Sequence, residues 1–124
     1  MACNGQLAQA LFYSSVLRQS DDLKGLAAKV KQANSVAEID RLVNGGSNID
    51  ASRTKWYASV SDPASCQAQV FLQQPNSDGN NTAYIGYTLE GFSNADQSEA
   101  AVFVNNDVLE SVHVNMLGVN WFKQ

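Results

Sequence analysis

The feature that most constrains this chain is a change of hydrophobic period near its middle. As far as about residue 44 the apolar residues recur at helical spacing, and from Thr54 onward they alternate one by one. A helix returns to the same face every 3.6 residues and a strand every two, so the two patterns belong to different elements. Helices first and strands after predict an α+β domain, with two or three N-terminal helices packed on a four- to five-stranded antiparallel sheet. A curved helix-plus-sheet cone around a cavity is the second architecture the order allows. The 124 residues suit a single domain, 1–124, large enough to bury its own core. It divides into a helical part at about 4–44, a linker at 45–53 and a sheet part at about 54–122.

In the first predicted helix, residues 6–19, Leu7, Leu11, Phe12, Tyr13, Val16 and Leu17 surround most of the wheel. A helix without a polar stripe is either central in a core or partly covered by another chain. Ser20 is placed as an N-cap, with Asp21 and Asp22 in the first turn, where the helix dipole favours negative charge. Leu23, Leu26, Ala27 and Val30 form the apolar face that follows. Ser35 and Glu38 make a capping-box pair ahead of a short helix at 36–43, which turns Ile39, Leu42 and Val43 inward and stops at Asn44-Gly45. The run NGGSNIDASR then reads as a linker.

In the first predicted strand Trp56, Ala58 and Val60 alternate. Cys66, Ala68, Val70 and Leu72 share one face of the second, and Gln67, Gln69 and Gln73 lie on the other, as in a half-buried antiparallel strand. The turn-rich QPNSDGNN leads to a third strand at 82–89 with Ala83, Ile85, Tyr87 and Leu89 inward, closing a hairpin. Residues 100–104 and 108–116 continue the meander, and VNWF near the C-terminus pairs at an edge or packs on a helix.

The formal charge of −4 repels a polyanion, and the eight basic residues are dispersed, so no nucleic-acid partner is expected. No segment has the ~20 apolar residues of a membrane span. The first residues lack the basic and apolar regions of a signal peptide. Only 16% of the residues are charged, and a surface made instead of Asn, Gln, Ser and Ala favours an extracellular or periplasmic setting over a cytoplasmic one. Cys3 and Cys66 are too few and too far apart for a zinc site. A long-range disulfide and two separate thiols both remain open.

Catalytic signals are weak. His113, the single histidine, alternates with Leu109, Ser111 and Asn115 on the more polar side of its strand and reads as a surface residue. Neither cysteine carries a motif that would make it a nucleophile paired with His113. The glycines at 45–46 match no phosphate-binding pattern, NSDGNN fails the calcium-loop register at both ends, and no G-x-S-x-G elbow is present. No cofactor or metal is expected. The aromatic residues say more. Trp56 and Tyr57 must point to opposite faces of one strand, which leaves Tyr57, Phe71 and Tyr84 as the outward set when the Ala68/Val70 and Ile85/Tyr87 sides face the helices. The expected function is therefore a non-catalytic protein-interaction or assembly domain, with a protein partner or self-association. The alternative is a ligand-binding or enzymatic cavity lined by Tyr87, Phe103 and His113.

Overall fold

The computed structural model describes residues 3–62, 64–75, 79 and 81–89, together with the backbone of Glu90 and of 101–104. Helices α1 (Gln6–Leu17), α2 (Lys24–Lys31) and α3 (Val36–Gly46) precede strands β1 (Lys55–Ala58), β2 (Ser65–Phe71), β3 (Thr82–Glu90) and β4 (Ala101–Val104). The α+β order that the change of period predicts is thus the order of the protein. The strands pair sequentially, each antiparallel to the next. The strand expected at 108–116, with His113, and the VNWF segment lie outside the described residues.

Buried side chains run around α1, from Ala8 and Ala10 through Phe12, Tyr13 and Ser14 to Val16 and Leu17. Their distribution follows from the lack of a polar stripe, and of the two settings such a helix allows, the central one is found. α1 touches α2 and α3, while its Phe12 ring lies 5.3 Å from Trp56 and 4.9 Å from Tyr87 on the strands. Edge-to-face and tilted pairs of this kind add to what area burial alone contributes.

The second helix begins differently from expectation. Asp21–Leu23 form a 3-10 turn ahead of α2, and the Ser20 hydroxyl makes no capping bond. Ser20 is buried, and among the described residues its Oγ has no hydrogen-bond partner. The cap expected there is supplied by the backbone, with the Leu23 N–H donating to the Ser20 carbonyl. At α3 the capping signal holds, since the Glu38 N–H donates to Ser35 Oγ at 3.1 Å. The Glu38 carboxylate accepts from the Asn34 N–H, one residue ahead of the usual box partner.

α3 also outruns its expected stop, continuing through Asn44 and Gly45 to Gly46 before Ser47 caps it. A Cβ on Gly46 would come within 2.7 Å of a Leu26 methyl, so the glycine lets α2 and α3 approach closely. The segment expected as a linker is packed as well. Ser47, Asn48, Ile49 and Ala51 are buried. Ile49 bridges to Leu72, and the Gln73 amide donates to the carbonyls of Asn44, Ser47 and Ile49. These bonds fasten the segment to the end of β2, satisfying backbone groups that burial would otherwise leave unpaired.

Candidate functional site

Alternation gives the sheet two unlike faces. Cys66, Ala68, Val70, Ala83, Ile85, Tyr87 and Leu89 are buried on the inner one. Trp56 joins them, its ring against Phe12, Tyr13 and Tyr87. Cys3 and Cys66 form a disulfide with their Cα atoms 5.8 Å apart. Cys66 pairs with Tyr87 across β2 and β3, and the Tyr87 hydroxyl donates to the Cys3 carbonyl at 2.9 Å. The residues ahead of α1 are thereby held to the middle of the sheet at two adjoining points. Burial pushes the Tyr87 phenol above its usual range, because the phenolate would lose its hydration.

Tyr13 is shifted in the same direction for the same reason, and Asp40 and Asp50 add to it by repulsion. Its hydroxyl lies 2.6 Å from Thr54 Oγ1 and 3.4 Å from the Ala51 carbonyl. Asp40 on α3 is raised too, first by partial burial and then by the Asp50 charge.

The outer face carries the three aromatic residues singled out from the sequence, in different states. Tyr57 on β1 and Tyr84 on β3 are 46% and 52% exposed. For rings of this size, that leaves large areas facing solvent. Phe71 is half-buried, and the Arg53 guanidinium sits 4.5 Å above its ring, a cation–π contact that covers one side. The strand register sets their spacing. Lys55, Gln69 and Tyr84 form one row across β1, β2 and β3, and Tyr57, Gln67 and Gly86 form the next. Tyr57 and Tyr84 therefore stand on adjacent rows at opposite sides of β2.

Where Gly86 leaves its row without a side chain, the surface sinks. Tyr57, Ala58, Ser59, Ser65, Cys66, Gln67 and Gly86 line a depression of about 350 Å³. Sequence alternation alone does not find this feature, although a glycine inside a strand pattern is the signal that could have.

Other expected residues fall elsewhere. Ala58 and Val60, expected to alternate on the side of Trp56, are both exposed, Val60 beyond the end of β1. There Ser59 Oγ collects the N–H groups of Ser61 and Asp62 in a turn. Tyr87, named for a cavity wall, has its ring in the core and its hydroxyl bonded. Phe103 pairs through its backbone with Thr88, and Tyr87 with Val104. His113 is outside the described residues. Among the described residues no three His, Cys, Asp or Glu side chains are grouped to hold a metal, and no helix is long and apolar enough to cross a membrane. Comparison with protein-family models, curated proteins and solved structures finds no match for this chain.

Proposed function

We propose that the chain is a non-catalytic interaction or assembly domain that works outside the cytoplasm, its helices covering one face of a four- or five-stranded sheet and the other face meeting a protein partner. The observation that carries the reading is the exposure of Tyr57 and Tyr84 on neighbouring rows of one sheet face. Large rings left in water contribute binding energy when a partner desolvates them, and tyrosine is enriched among residues that dominate interfaces. Phe71 under Arg53 extends the same surface. The extracytoplasmic setting rests on the Cys3–Cys66 bridge, a bond that persists in oxidising compartments.

Two measurements test this. Sedimentation, together with photo-crosslinking from position 84 in the native setting, is expected to give either self-association or a covalent partner adduct. Tyr57→Ser and Tyr84→Ser are expected to abolish whichever is found. A strict monomer whose crosslinking pattern ignores both substitutions would sink the reading. For the compartment, the native-source protein should resist thiol alkylation until reductant is added.

A further inference from the structure

We infer that the depression beside Tyr57 is a subsite for one ring of a neutral saccharide, carried by the partner that meets the outer sheet face; the inference rests on the reading of that face as a contact surface. Gly86 is the starting point. It lies inside β3, where a glycine weakens the strand by offering no side chain to pack. Among the described residues nothing requires it. Its backbone is not in the left-handed region, and a Cβ built there meets only the Cys66 carbonyl oxygen, at 4.0 Å. A Cβ has room there, and a β-branched residue would suit the strand better. What the missing side chain does provide is the floor of the depression, the close approach from outside that an interior strand glycine permits.

The lining selects the occupant. Tyr57 supplies an aromatic wall, and Gln67 and Ser65 supply an amide and a hydroxyl. Among the described residues none hydrogen-bonds the Gln67 amide, the Ser65 hydroxyl or the Tyr57 phenol. No charged side chain among the described residues lines the space. An apolar side chain from a partner would strip water from the amide and hydroxyl and return no bond, which is the costly way to bury them. A charged group would lose its hydration with no counter-charge to meet it. A neutral polar group avoids both penalties, and a sugar ring adds to its hydroxyls, which can donate to and accept from Gln67, Ser65 and the phenol, a C–H face that can lie on the Tyr57 ring. The row from Tyr57 to Gly86 spans two interstrand spacings, about 10 Å, and the volume of about 350 Å³ is at the small end for a ligand site. Both suit one ring of a longer chain.

The test is an NMR titration of the isotopically labelled protein with four neutral probes, cellotriose, maltotriose, mannotriose and chitotriose. At least one is expected to bind in the millimolar range and to shift the amide signals of residues 57–59, 65–67 and 86. Gly86→Thr should fill the floor and weaken that binding at least about tenfold, while circular dichroism shows the fold and its melting retained. Gln67→Ala, a surface change that leaves the floor open, should weaken binding as well. If none of the four trisaccharides shifts those signals, or if one binds Gly86→Thr as tightly as the unaltered chain, the saccharide subsite is overturned. Failure of the protein-partner reading is separate, because Tyr84 lies outside the depression and crosslinking from position 84 reports on the face whatever the sugars do.

Discussion

The two faces of this sheet are built from the same strands and differ in what their side chains are bonded to. On the inner face each large group has a partner: Tyr87 donates to Cys3, Trp56 meets Phe12 and Tyr13, and Cys66 is bridged to Cys3. On the outer face Tyr57 and Tyr84 stand in water, and the floor between β1 and β3 is left open at Gly86. Burial with partners stabilises a fold, whereas exposed rings contribute free energy only when another molecule arrives. On the proposed reading the contrast gives stability to one face and recognition to the other, and substitutions on each should separate the two.

The largest expected effect is at the inner face. Phe12 is fully buried and meets three other rings, so Phe12→Ala should cost about 3–5 kcal/mol in urea unfolding. A cost below about 1 kcal/mol would break the comparison at its centre. Removing the bridge with Cys3→Ser and Cys66→Ser together comes next. It frees a loop with a sequence separation of 63, for which constraint of the unfolded chain accounts for roughly 2–4 kcal/mol. The same loss should follow reduction of the unaltered protein, seen as a lower urea midpoint.

Tyr87→Phe isolates one hydrogen bond at constant shape, and should cost about 1 kcal/mol. It also has a pH signature. The folded pKa of Tyr87 is raised by burial, so the native state keeps its proton while the unfolded phenol releases one near its ordinary value. The stability that Tyr87 contributes is complete below that ordinary value and is lost as pH climbs toward the raised one. Alkaline unfolding curves of Tyr87→Phe should therefore be shallower than those of the unaltered chain. Tyr13 shares the direction of shift, so part of the alkaline slope should remain.

Much of the inner and outer division was legible in the sequence, because a strand with period two cannot place Trp56 and Tyr57 on one side. The failures have local causes. Val60 was read as the next inward residue after Ala58, but β1 ends where the Ser59 hydroxyl offers the following N–H groups an alternative to the ladder. Asn44-Gly45 has the composition of a helix stop, yet α3 continues to Gly46, where the absence of a side chain leaves room for Leu26. The packing of residues 44–53 is hidden by their turn composition, since what fixes them is the distant Gln73 amide. The Cys3 to Cys66 connection carries no periodicity at all, so its pairing comes from the fold. In the candidate site, Tyr57 and Tyr84 followed from alternation, whereas the depression depends on the register that sets Gly86 beside Gln67. That register was not readable from either strand alone.

A smaller effect sharpens the comparison at the edge of the helical layer. Asp40 has its carboxyl raised by partial burial and by Asp50. The native state then takes up a proton at a higher pH than the unfolded chain, so stability rises as pH falls from the raised value toward the ordinary one. Asp40→Asn should remove that slope and stabilise the protein slightly at neutral pH. A destabilised Asp40→Asn would mean that the carboxylate is held by a favourable contact.

The smallest expected change in stability is on the outer face, and it is the one on which the comparison finally depends. Tyr57→Ser and Tyr84→Ser remove rings that are about half in solvent, and among the described residues neither makes a ring contact, in contrast to Trp56 beside Tyr57. Each should shift urea unfolding by no more than about 0.5 kcal/mol. The same substitutions should remove partner contact entirely, since a few central rings dominate a recognition surface. A loss of several kcal/mol from either would place that ring among the supports of the fold and return the outer face to structure. Unchanged stability with lost contact would separate the two faces by function, in strands where neighbouring residues differ only in which way the pleat points them.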